Sequence, residues 1–85
     1  MEKIIFTRHA EFKRKLLQEH GFQITRQEII DAIREPNRVR AGYHGRKVVE
    51  KKLTVRHLLR IVVEDSPEGL KIVTLYPTRR DRYET

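Results

Sequence analysis

Arg46, Lys47, Lys51, Lys52, Arg56 and Arg60 are the residues in this chain best suited to hold phosphate. They lie in the segment RVRAGYHGRKVVEKKLTVRHLLR, from Arg38 to Arg60, which carries eight Lys or Arg and one acid, Glu50. Before Arg38 there are seven basic and six acidic side chains, and after Arg60 four and five, so the net charge of +7 arises in this one stretch. Clustered cations attract polyanions, of which nucleic acid is the commonest inside a cell. Its phosphates are bound in a salt-dependent way that is largely blind to sequence. An acidic protein partner and plain solubility are the competing readings of the same charge.

Alternation along the two strands after this stretch adds an aromatic ring. Between Val55 and Glu64, His57, Leu59, Ile61 and Val63 share one face, and Arg56, Leu58, Arg60, Val62 and Glu64 share the other. The first set is the more apolar and is expected to meet the helices. With DSPEG (65–69) as the loop, Glu64 falls opposite Leu70, Arg60 opposite Thr74 and Leu58 opposite Tyr76. Leu70, Ile72, Thr74 and Tyr76 then face outward, although a one-residue slip would reverse this. Arg56, Arg60 and Tyr76, with Lys52 from the neighbouring strand, form a surface that can grip phosphates and stack a base. The alternative is that Tyr76 only covers Leu58, with arginine stems lying over it.

These residues must be positioned by a small α+β domain. Lys3 to Phe6 suits a first strand. Thr7 can cap a helix over HAEFKRKLLQEH, closed by Gly21 in the left-handed conformation. Thr25 and Glu28 form a capping box, and Ile24 and Ile29 a hydrophobic staple. Pro36 ends this second helix. Ile29, Ile30 and Ile33 are expected to be buried with Phe12, Leu16 and Leu59. The period then changes toward two. Asn37–Ala41 reads as an edge strand, Gly42–Gly45 as a turn, and Arg46–Leu53, Val55–Glu64 and Leu70–Tyr76 as strands. The last two form an antiparallel hairpin that Pro77 terminates. The expectation is one strand, two helices, then a meander of three or four antiparallel strands, with the helices on one sheet face. Residues 1–85 read as one domain, with 79–85 a polar tail.

Composition excludes several classes of function. With no cysteine there is no disulfide framework, thiolate nucleophile or thiolate metal site. His9, His20, His44 and His57 show no metal-ligand spacing, so no metal or other cofactor is expected. His57 reads as a core histidine and His44 as part of a polar loop. No Gly-rich phosphate loop is present. The run at the N-terminus is too short for a signal peptide or a membrane span, which gives a cytoplasmic reading and no membrane partner.

Two motifs resemble a known family. They are Thr7–Ala10 (TRHA) followed by I-T-x-x-E-I-x-x-A-I-x-x-P (Ile24–Pro36), and the ending HLLRIVVED…KIVTLYPTRRDRY. Together they resemble a family of small, mostly uncharacterised prokaryotic domains related to the BrnT toxins and, more distantly, to the RelE/ParE toxin superfamily. That resemblance covers nearly the whole chain. It implies a RelE-like fold, RNA or the ribosome as target, and an antitoxin as protein partner. Cutting members of that superfamily use sheet-borne basic residues, often with a Tyr or His. The residues here that match such a set are Arg60 and Tyr76, with Arg79, Arg80 or Arg82 from the tail, and His9 from the H-A element.

Metal-free RNA cleavage needs a base for the 2′-hydroxyl, a cation for the phosphorane and an acid for the leaving 5′-oxygen. Arg60, Arg79 and Arg80 are suited to steady charge. A histidine such as His9 can act as acid or base, and Tyr76 can orient or donate. A non-catalytic nucleic-acid or ribosome-binding module would need the same Arg and Tyr residues without that geometry. An interaction domain for an acidic partner is the third possibility. Arg60, Tyr76, Arg79 and Arg80 are expected to converge at one end of the open sheet face.

Overall fold

The computed structural model describes residues 3–79. Arg80 and Arg82 lie outside the described residues. The described residues form an α+β fold, with two α-helices and one five-stranded mixed sheet: β1 (Ile4–Phe6), α1 (Arg8–Glu19), α2 (Arg26–Arg34), β2 (Arg38–Ala41), β3 (Lys47–Lys52), β4 (His57–Ser66) and β5 (Gly69–Arg79). The strand order is β1-β5-β4-β3-β2. The β2-to-β5 meander is antiparallel throughout, and β1 runs parallel to β5 at the edge. A parallel pair needs a long connection, and here α1, α2 and the strands β2 to β4 all lie between β1 and β5.

Both helices start on caps legible in the sequence. Thr7 accepts a hydrogen bond from Ala10 N at 3.2 Å, and Thr25 and Glu28 complete the capping box. Gly21 adopts φ +90° just beyond α1. Ala10, Leu17, Ile24, Ile29 and Ala32 pack from the helical layer onto Val49, Leu59, Ile61, Val63, Ile72 and Leu75 of the sheet, with Ile33, Phe22 and Phe6 at the margin. Phe12, expected in this core, is 59% exposed. It lies two residues, about 200° around the helix, from Ala10. The sheet-facing stripe is instead Ala10 and Leu17, seven apart, and the small Ala10 lets α1 lie close to β5. Leu16 and Ile30 are half-buried.

The β2–β3 connection spans 42–46, one residue longer than expected, whereas the β4–β5 loop is tighter than expected. Tyr43–Arg46 closes β2 on β3 with Arg46 N donating to Tyr43 O at 3.1 Å. Its central residues, His44 (φ 58°) and Gly45 (φ +76°), are both left-handed, and Gly42 N donates to Arg46 O at 2.7 Å at the base of the loop. The β4–β5 loop is only Pro67 and Glu68, because Asp65 pairs with Leu70 and Ser66 with Gly69. Gly69, at φ +142°, lies against the Lys3 carbonyl, where a Cβ would collide. That close approach lets Leu70 N donate to Lys3 O at 2.7 Å and seats β1 beside β5.

The β4–β5 register departs from the sequence reading in two ways. At the turn, Glu64 pairs with Lys71 and not Leu70, and a bulge then intervenes, since Val62 pairs with Thr74 and Val63 with Ile72. Val73 is the extra residue, and the alternation of β5 reverses across it. Leu70 and Ile72, expected outward, therefore pack with the core, as does Leu75 beyond the bulge. Pro77 does not end the ladder: β5 continues to Arg79. β1 covers β5 only as far as Ile72, so Pro77 sits on an edge where its missing N–H costs no ladder bond.

An ion-pair cluster ties the helices together. Glu11 of α1 lies 3.1 Å from Arg14 Nη2 and 2.7 Å from Arg26 Nε of α2. Hydrogen bonds from Arg26, then Arg14, hold the Glu11 carboxyl at about 2, below its ordinary 4.5. A depressed carboxyl contributes stability above its unfolded-state value and loses it as pH falls toward the folded value. Glu11→Gln is expected to lower the melting temperature by a few degrees at pH 7, since exposed pairs contribute modestly. Thermal melts should show the difference shrinking between pH 4.5 and pH 2. A difference that persists unchanged at pH 2 would mean the charge is not responsible.

Candidate nucleic-acid interface

The sheet face away from the helices is organised as cross-strand rows. In one row Arg38 pairs with Glu50, Glu50 with Arg60, and Arg60 with Tyr76, spanning β2 to β5. The next row is Arg40, Val48, Val62 and Thr74. On the other side, Lys52 pairs with Leu58 and Leu58 with Thr78. Leu58 and Val48 are buried on this face, apart from the main core. Long basic side chains border them in register, and their aliphatic stems can shield such positions.

Arg60 and Tyr76 are direct cross-strand partners, one step closer than the diagonal expected. The Arg60 guanidinium carbon lies 5.8 Å from the Tyr76 ring centroid, within cation–π range. The bulge at Val73 makes this possible. The one-residue shift at the turn alone would send Tyr76 to the helical side, and the extra residue returns it to the outer face.

Glu50 is the residue that a reading for cations passes over. It is 2% exposed, the only buried charged residue among those described. Three arginines approach it through their Nε atoms: Arg60 at 3.2 Å from Oε2, and Arg40 at 3.4 Å and Arg38 at 3.9 Å from Oε1. The sequence signal was present, because Glu50 is the lone acid in the basic segment and sits at strand spacing from Lys52 and Val48. Its role needs the cross-strand register to be read.

The remaining candidates disperse. Lys51 and Lys52, expected on one surface, are neighbours in a strand and point to opposite sides. Lys51 falls on the helical side, where Nζ donates to the Glu35 carbonyl at the end of α2, 2.7 Å away. Arg46 pairs with Glu64 at 3.5 Å. Lys47, at the start of β3, is exposed and opposite Val63, on the helical side. Arg56 lies in the bend before β4 and not on the strand. Arg79 pairs with His57, whose side of β4 is the helical one, so it does not converge with Tyr76. His57 is half-buried, with its ring edge-on to Phe22 at 5.2 Å and Nδ1 3.0 Å from Thr54 Oγ1. His9 does reach the outer face at its rim. Because β1 pairs with β5, the start of α1 lies beside that strand, and His9 Nε2 is 3.1 Å from Thr74 Oγ1. Thr74 is two residues from Tyr76 on the same face.

Among the described residues, no group of three or more His, Cys, Asp or Glu is placed to hold a metal ion. No described helix is long and apolar enough to cross a membrane. Compared with protein-family models, curated proteins and solved structures, the chain matches none.

Arg60 is 15% exposed at its side chain and is the nearest cation to a buried carboxylate. Its removal strands charge at Glu50, although Arg38 and Arg40 remain. Arg60→Ala is therefore expected to destabilise the fold by about 2 kcal/mol, below the ~3–5 kcal/mol of a fully buried pair left broken. Urea melts test this. Wild-type stability in Arg60→Ala would show that the ion pair does not support the sheet.

Proposed function

We propose that the chain is an RNA-binding domain of the RelE-like toxin type, in which single-stranded RNA lies across the outer sheet face. The observation that carries this reading is the Arg60–Tyr76 pair at the end of a row that also holds Arg38. An aromatic ring on a sheet offers a stacking surface to an unpaired base. Guanidinium groups beside it match phosphate geometry and also stack on rings. Lys52 and Arg40 extend the positive surface on either side. Arg38, Arg40, Lys52 and Arg60 against Glu50 leave the face positive, which attracts a polyanion at long range.

His9 favours a second reading, cleavage of the bound strand. Its imidazole is at the rim of the face, on Thr74, two residues along β5 from Tyr76. There it is suited to take the 2′-hydroxyl proton. The 2′-oxygen then bonds to phosphorus as the bond to the 5′-oxygen breaks, leaving a cyclic phosphate. The departing oxygen takes a proton from the Tyr76 hydroxyl, and Arg60 steadies the charge on the phosphorane.

Fluorescence anisotropy with a labelled single-stranded oligoribonucleotide at low salt tests binding. Tyr76→Ala should weaken it roughly tenfold, the worth of one base stack. Equal affinity in wild type and Tyr76→Ala would remove the stacking role. Absence of wild-type binding at low salt would leave an acidic protein as the partner for this face. For cleavage, His9→Ala should keep the affinity and lose the cyclic-phosphate product. RNA left intact by wild type makes the domain a binder only.

A further inference from the structure

Glu50 presents a puzzle if the outer face binds RNA. A carboxylate at the centre of a phosphate-binding surface repels the ligand, and burying it costs desolvation free energy. Yet it is 2% exposed and is approached by three arginines from three positions on two flanking strands. Each arginine comes through Nε, the inner edge of its guanidinium. For Arg38 and Arg40, whose side chains remain 51% and 41% exposed, contact through Nε does not occupy the edge formed by the two Nη atoms. That edge carries the paired N–H groups that fit two oxygens of one phosphate.

We infer that Glu50 is a positioning residue: its carboxylate anchors Arg38 and Arg40 by their Nε sides, so that their outer edges form a two-pronged phosphate clamp at the β2 end of the face. This deepens the RNA reading and rests on it. Neighbouring strands are about 4.8 Å apart, so β2 lies roughly 14 Å across the sheet from β5. The clamp and the Tyr76 platform are therefore separate contact points. A bound strand would run across the β-strands, with a base on Tyr76 and a phosphate further along its backbone at Arg38 and Arg40. An unanchored arginine would have to lose its rotamer freedom on binding. Here that ordering cost is met in the folded protein.

The sign of one mutation separates positioning from simple charge. Glu50→Gln keeps the shape and raises the net charge by one. If Glu50 acts only through its charge, RNA should bind tighter. If it positions the clamp, binding should weaken about tenfold despite the added positive charge, and the log–log salt slope should shrink by about 0.7 for each phosphate no longer neutralised. Anisotropy titrations across a salt series read both quantities, with circular dichroism confirming the fold. Tighter or unchanged binding by folded Glu50→Gln overturns the proposal. If that variant does not fold, the double variant Arg38→Lys with Arg40→Lys decides. It keeps both charges and loses the forked geometry, so wild-type affinity in it overturns the clamp and a similar tenfold loss supports it. A further readout needs no RNA. The 15N relaxation of the Arg38 and Arg40 Nε–H groups should report ordered side chains in the wild type, and mobile side chains in whichever Glu50 variant folds, Glu50→Gln or Glu50→Asp. Disordered wild-type signals overturn the anchoring itself. Ordered signals in a protein that fails to bind RNA would instead retire the RNA reading and leave the anchoring in place.

Discussion

The extra residue at Val73 is the constraint on which both faces of the sheet depend. A two-residue turn at Pro67–Glu68 sets Asp65 against Leu70. Strict alternation from that turn would put Leu75 outside and Tyr76 under the helices. The bulge reverses the pattern midway, so Ile72 and Leu75 are both fully buried although they are three residues apart. It falls just where β1 ends, at the Phe6–Ile72 pair. There the Thr7 hydroxyl donates to the Ile72 carbonyl at 2.7 Å while accepting from Ala10 N. One threonine thus caps α1, satisfies a strand carbonyl that β1 no longer reaches, and joins the helical layer to the bulge.

The outer face follows from that geometry. With Tyr76 returned to it, four strands contribute one row of Arg, Glu, Arg and Tyr. The acid in the middle has two consequences. It allows arginines to crowd together in a small domain whose excess charge would otherwise repel itself. It also draws three guanidinium groups from two strands onto one carboxylate, at 3.2, 3.4 and 3.9 Å. The structural cost is a carboxylate whose stability depends on its partners, so the outer face and the fold are coupled through the Arg60–Glu50 contact.

Much of the helical layer was legible because its signals are local. Thr7, Thr25 with Glu28, Gly21 and Pro36 each act within one turn of chain, and each does so where the sequence placed it. Phe12 is apolar yet exposed, because the sheet selects the stripe that allows close approach, and the small Ala10 supplies it. The sheet was legible in outline and not in register. Nothing local in KIVTLYP marks Val73 as an extra residue, since the bulge serves the junction with Thr7, some 65 residues away. The parallel β1–β5 pair was hidden for the same reason, and with it the approach of His9 to Thr74. Arg60 and Tyr76 were placed on a common face by two departures that cancel, the shorter turn and the bulge. Charge alone groups Lys51 with Lys52, whereas strand alternation puts them on opposite sides of β3. The place of Glu50 depends on the cross-strand register, which sets its buried carboxylate among arginines of β2 and β4.

The central claim is that nucleic acid meets the outer face of the sheet and not the helices. Amide shift mapping by 15N NMR, with a short single-stranded oligoribonucleotide added at low salt, addresses it most directly. The largest shifts are expected along the row of Arg38, Glu50, Arg60 and Tyr76, with smaller ones at Arg40 and Thr74 and little change along α2. Shifts confined to α1 and α2, or no shifts at saturating RNA, would contradict it.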